Sequence, residues 1–221
     1  IMITLIINFM KTDLTILSAL MLSLAVVGCN SGKCCTDCCD AGTYAEADDP
    51  VALTAEESAA WDNLGKKLNA AWADADVRYR KTVVPGLEEV ETYKISAWKG
   101  ERASAQFLLW TAVPKECVSC EISDFVSDAS VLPASVAETR FVRYSLADER
   151  SYKRFRKGGP ATLSPDMLDT LSFYNMEART VRPVWLTVNV AQDAPAGIYK
   201  SVITVSHDGF GKVKLPLELE V

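Results

Sequence analysis

From Val83 onward the chain is a succession of short apolar runs, each rich in β-branched and aromatic residues and closed by turn formers, with no helical rhythm between them. The runs are Tyr93 to Trp98, Ser104 to Thr111, Val118 to Ile122, Arg140 to Leu146, Pro183 to Val190, Tyr199 to Ser206 and Val213 to Val221. The last is the most regular. Val213, Leu215, Leu217, Leu219 and Val221 alternate with Lys212, Lys214, Pro216, Glu218 and Glu220, so one face of that strand is apolar and the other wet. Pro216 has no N–H to give a ladder and predicts an edge position, and His207 to Gly211 supply the hairpin loop before it. Strands without a βαβ alternation predict an all-β fold, and an antiparallel β-sandwich is the architecture that suits them.

Two departures from this pattern are expected. Thr54 followed by Glu57 forms a capping box, and Ala60, Trp61 and Leu64 recur at helical spacing, predicting one short N-terminal helix from Ala55 to about Leu64 that stops near Gly65. Leu68 and Trp72 would continue that helix by spacing, yet Leu68, Ala70 and Trp72 also alternate as in a strand. Between Ala147 and Thr180 lies a long inserted loop with Gly158, Gly159, Pro160 and Pro165, too long for a passive connector and therefore a candidate docking surface.

The first third reads as an export and attachment region. Lys11 precedes an apolar run from Leu14 to Val27 that ends in Gly28 and Cys29, the pattern of a lipoprotein signal segment over residues 1–28 with Cys29 as the lipid-bearing residue. Residues 29–52 are small and polar, a flexible cysteine-containing tether, and 53–221 form the sandwich domain. The chain is therefore expected in the bacterial cell envelope, held to the membrane by its lipid.

The sequence has seven cysteines; setting Cys29 aside leaves Cys34, Cys35, Cys38, Cys39, Cys117 and Cys120, an even set suited to an oxidising compartment. Zinc could be held by such a cluster, but disulfides or tolerated tether cysteines are the plainer reading, and no metal or other cofactor is expected. On a single strand Cys117 and Cys120 face opposite sides and do not bridge one another. With a net charge of −6 the chain offers no broad surface for phosphates, so nucleic acid is not an expected partner.

Few residues invite a chemical role. Glu101 and Arg102 form a charged pair at the mouth of an apolar strand, but cleavage of a glycoside usually needs a second carboxylate or an acetamido-assisted partner at a defined distance, and none is local; a strand-bend cap or ion pair is the plainer role. Gln106 reads as a satisfied core or interface amide. Trp110 and Trp185 sit in apolar strands and read as core, whereas Trp98, beside Lys99 and Gly100, reads as an interface aromatic. Arg150, Lys153, Arg154, Arg156 and Lys157 make a basic run suited to a solvated face, an acidic partner surface or a sulfated or uronic polysaccharide. Asp166 and Asp169 in SPDMLD read as loop and helix-cap residues. The single histidine, His207, supports neither a triad nor a multi-histidine metal centre.

WKGERASAQFLLW, Trp98 to Trp110, and RPVWLTVNVAQDAPAGIY, Arg182 to Tyr199, together resemble the N-terminal β-sandwich domain of glycoside hydrolase family 123, bacterial β-N-acetylgalactosaminidases and their relatives. The resemblance implies that LNAAWADADVRY is extended rather than helical, and that the GER turn belongs to the sandwich. It also implies that the chemistry, an Asp-Glu pair working with the substrate's acetamido group, lies in a catalytic barrel. Such a barrel needs about 250 residues, so the 221 residues here do not contain it. No catalytic residue is then expected in this chain. Trp98, Glu101, Arg102, Arg154, Arg156 and Asp166 are the candidates for an interface or a share of the substrate cleft. The expected partners are the protein's own C-terminal barrel, the membrane and a glycan. The alternative is a free-standing lipoprotein that binds glycans or another protein.

Overall fold

The computed structural model describes residues 45–88, 90–147, 162–209 and 211–221. The signal segment, Cys29, the four clustered cysteines, Arg154 and Arg156 lie outside the described residues.

One helix, α1 (Ala55–Asp62), is followed by strands β1 (Leu68–Ala73), β2 (Tyr93–Ser96), β3 (Arg102–Thr111), β4 (Lys115–Ile122), β5 (Phe125–Val126) and β6 (Val131–Leu132). A 3₁₀ turn at Ala134–Val136 leads into β7 (Ala137–Ala147), β8 (Thr162–Leu168), β9 (Phe173–Met176), β10 (Thr180–Asn189), β11 (Ile198–His207) and β12 (Gly211–Glu220). They form two sheets. One runs β1-β3-β10-β7-β8; the other runs β2-β12-β11-β4-β9, with the short β5 and β6 attached through β11. All pairings are antiparallel except β12 with β2. The fold is the all-β antiparallel sandwich expected from the alternation.

Alternate residues of facing strands fill the space between the sheets. Ala105, Phe107 and Leu109 of β3, Val184, Leu186 and Val188 of β10, Tyr199, Ile203 and Val205 of β11, and Leu215, Leu217 and Leu219 of β12 belong to one buried cluster. Burying each large apolar side chain contributes about 1.5–3 kcal/mol. Trp72 closes one side of the sandwich: it stacks on Tyr93 at 4.6 Å, meets Phe107 edge-on at 5.5 Å, and donates Nε1–H to the Pro216 carbonyl across the sheets at 3.1 Å.

A second cluster lies on the outer side of the first sheet, where α1 and residues 79–87 cover Leu108 and Val181 around Trp61. The capping box forms as expected: Thr54 accepts from the Glu57 N–H, and Glu57 accepts from the Thr54 N–H at 2.8 Å. Trp61 is 1% exposed and donates to the Thr82 carbonyl at 2.7 Å, which fastens α1 to the segment beneath it. Gly65, at φ 73°, turns the chain into β1, which is a strand over the stretch where helical and strand spacing competed.

Several expectations are corrected. The interval from Ala147 to Thr180 is not simply a loop, since it holds β8 and β9. Asp166 lies within β8, and no helix follows it; Asp169 does make an Asx turn, accepting from the N–H groups of Thr170 and Leu171. Trp110 and Trp185 are only half-buried, on the outer face, and the indoles with almost no exposure are Trp61 and Trp72. β12 is not an edge strand, because β2 pairs along its far side from Leu217 to Glu220. Pro216 is tolerated just beyond that pairing. Opposite it, Val202 turns both backbone groups toward Ser123, so Pro216 faces away from β11 with its nitrogen where β2 has not yet begun. Cys117 is disulfide-bonded and Cys120 is free, so the two do not bridge.

Candidate functional site

Trp98 stands at the end of β2 on a tight turn. Glu101 accepts the Trp98 N–H through Oε2 at 2.6 Å and returns its own N–H to the Trp98 carbonyl at 3.0 Å, while Gly100 adopts φ 80° between them. Glycine is favoured there for conformation, and a Cβ would in addition push the exposed Gln192 side chain aside. With its backbone fixed, the Trp98 side chain projects outward and is 84% exposed. It borders a groove of about 670 Å³ with Ser96, Lys99, Gln192, Glu220 and Val221. Glu101 is thus occupied in shaping the turn. Arg102 opens β3 as an exposed residue, and among the described residues no ion pair joins it to Glu101.

The register extends this groove onto the outer face of the second sheet. Ser96, Glu220 and Ile198 form one row; Lys94, Glu218, Lys200, Val126 and Val131 form the next. Lys94 pairs with Glu218 at 3.1 Å, and Ile198, Val126 and Val131 are each more than half exposed.

The strongest electrostatic feature was not found from sequence. Glu46, inside the stretch read as a tether, is buried against Arg182 of the RPVW strand: Nη1 to Oε1 is 2.6 Å and Nη2 to Oε2 is 2.7 Å. Lys81 approaches Oε2 at 3.1 Å and the Tyr144 N–H donates to Oε1 at 2.9 Å. Arg182 also donates to the Val142 carbonyl and the Tyr174 hydroxyl, and its guanidinium lies 4.1 Å from the Tyr174 ring centre. Burial pushes the Glu46 carboxyl up, but Arg182, the Tyr144 N–H and Lys81 together outweigh it and hold the pKa at about 2. Asp49 reinforces the attachment through Thr82 at 2.8 Å and Arg80 at 3.2 Å. Residues 45–51 are therefore packed onto the sandwich.

A second recess, of about 520 Å³, crosses the outer face of the first sheet between the 75–78 loop and β8, with Trp185 and Gln106 on its floor and Asp166 on its rim. Gln106 donates to the carbonyls of Asp74 and Val77 at 2.9 and 3.2 Å, the satisfied amide the sequence suggested. The structure thus brings Trp98 and Glu101 together at one end of the sandwich and places Asp166 on a different surface, with Trp185. Among the described residues no cluster of three His, Cys, Asp or Glu side chains is arranged to hold a metal.

The description "Glycoside hydrolase 123 N-terminal domain" matches residues 72–207, more than half of the chain. Among solved structures, a family 123 glycoside hydrolase from Clostridium perfringens, studied for glycolipid glycan hydrolysis, superposes with a TM-score of 0.63 at 21% identity. The match covers 70% of this chain and 27% of that one, so this chain spans about a quarter of the length of that relative. The N-terminal domain of PorA matches at 11% identity with a TM-score of 0.31, over 70% of this chain and 96% of that one, a likeness too weak to argue from. No curated protein sequence matches. On its matched residues and its sandwich, this chain belongs to the glycoside hydrolase 123 N-terminal domain family.

Proposed function

We propose that this chain is the noncatalytic N-terminal sandwich of a family 123 glycoside hydrolase acting on N-acetylgalactosamine-containing glycans, and that the Trp98 groove seats its catalytic barrel. The observation that carries this reading is an indole 84% exposed on a rigid turn, beside a row of apolar and charged residues on the same sheet face. A large, stiff aromatic left in water at a groove is the usual anchor of an interface, surrounded by polar residues that exclude water on docking. Glu101, the acid nearest the groove's apex, is held by a backbone N–H and shapes the turn instead of offering a proton. The relative's chain, of which the match occupies 27%, leaves ample length for a barrel.

The envelope location belongs to the same proposal, with Cys29 as the acyl acceptor. Labelling cells with a fatty acid tests it: Cys29→Ala removes the label, and undiminished label in that variant excludes the anchor. Docking is tested in a protein extended through the barrel. There Trp98→Ala separates one cooperative thermal transition into two, and a single unaltered transition places the interface elsewhere.

A further inference from the structure

The recess over Trp185 has a composition that neither scaffolding nor the Trp98 interface uses. Register sets Gln106, Trp185 and Arg140 side by side across the middle of the first sheet, with Ser104, Thr187 and Glu138 in the next row. These side chains point away from the core, because Ala105, Val184 and Leu186 point into it. α1 covers the other end of this face but leaves Trp185 half-buried, at the floor of a recess walled by Asp76, Val77 and Arg78 on one side and Pro165, Asp166 and Leu168 on the other.

Gln106 is 5% exposed, and both its N–H groups are consumed by Asp74 and Val77. Its orientation is thereby fixed, and among the described residues nothing donates to its Oε1. Asp166 likewise makes no hydrogen bond or ion pair among the described residues. A pre-oriented carbonyl acceptor, a carboxylate at the rim and an aromatic ring between them form a small set of convergent polar groups around an apolar floor. A pyranose presents the complement, with axial C–H bonds on one face that pack on an indole and hydroxyls at its edge that donate to oxygen acceptors. Among the described residues Asp76 and Asp166 line the recess against Arg78, and the neighbouring Arg140 is paired with Glu138. An uncharged sugar is therefore favoured over a uronate or sulfated one. The volume, about 520 Å³, suits one or two sugar units and not an extended protein face.

We propose that the recess over Trp185 binds a neutral pyranose, stacked on the indole and hydrogen-bonded to Gln106 Oε1 and Asp166. This is a site separate from the Trp98 groove. The full chain is titrated by calorimetry with methyl β-galactopyranoside, N-acetylgalactosamine and galacturonate. The neutral sugars bind saturably in the millimolar range and galacturonate binds more weakly. Trp185→Ala lowers affinity by roughly tenfold or more, Trp185→Phe retains most of it, Asp166→Asn loses severalfold, and Trp98→Ala leaves it unchanged. Should Trp185→Ala fail to fold, the exposed Asp166→Asn and the ring-preserving Trp185→Phe still decide. Absence of saturable binding at tens of millimolar sugar, galacturonate binding as tightly as the neutral sugars, or wild-type affinity in folded Trp185→Ala or Asp166→Asn overturns the site. Loss of affinity in Trp98→Ala instead moves the sugar to the other groove and overturns it too. None of these outcomes bears on family membership.

Discussion

Arg182 and Glu46 lie 136 residues apart in sequence and meet in a two-pronged contact, Nη1 to Oε1 at 2.6 Å and Nη2 to Oε2 at 2.7 Å, with side-chain exposures of 3% and 2%. A buried pair of this geometry is expensive to break, since loss of one partner strands the other charge. Removing the carboxylate in Glu46→Ala leaves Arg182 and Lys81 together without it. The expected loss is about 3–5 kcal/mol, read from the urea midpoint at constant slope.

The same carboxyl sets an acid limit on stability. Its folded pKa of about 2 lies below its ordinary value of 4.5, so the folded state favours the charged form. The stabilisation is fully present above about pH 4.5 and disappears as pH falls through about 2. It amounts to about 3 kcal/mol from the size of the shift. The stability read from denaturant midpoints should fall in wild type as pH drops through that window, and Glu46→Gln should lack that part of the fall.

The outer helix tests local signals against packing. Thr54→Ala removes one half of the capping box and should cost about 1 kcal/mol. Trp61→Ala removes the buried anchor beneath the same helix and should cost about 3–5 kcal/mol. Equal losses in the two variants, measured by thermal and chemical unfolding, would show that α1 is not seated by Trp61.

At the Trp98 turn, Gly100→Ala places a Cβ on a residue at φ 80° and should cost about 1–3 kcal/mol, with the exposed Gln192 side chain moving aside. Trp98→Ala, at a side chain 84% exposed, should change the stability of this chain by no more than about 0.5 kcal/mol. The contrast separates a residue that shapes the turn from one presented by it.

The sheets were legible because their signal is local. Val213 to Val221 alternates without a break, and Thr54 with Glu57 marks the start of α1 within one turn. Strands β8 and β9 were hidden because Pro165 and the surrounding polar residues look like loop, and only pairing with β7 and β4 makes them strands. The tryptophans were misassigned for a related reason: periodicity shows which residues share a face, but whether α1 covers that face is decided in three dimensions. Pro216 looked like an edge residue because sequence cannot reveal that β2 pairs with β12 only from the next residue, Leu217, onward. Glu46 gave no signal at all, since a lone acid in a small-residue stretch points to nothing until Arg182 is beside it.

The most direct measurement is hydrolysis of a β-N-acetylgalactosaminide by the purified chain alone, followed to enzyme-stoichiometric product. The expected result is no turnover, with activity present only in a protein that also carries the barrel. Sustained turnover by the 221-residue chain, unaffected by further purification, would contradict a sandwich that supports the reaction without performing it.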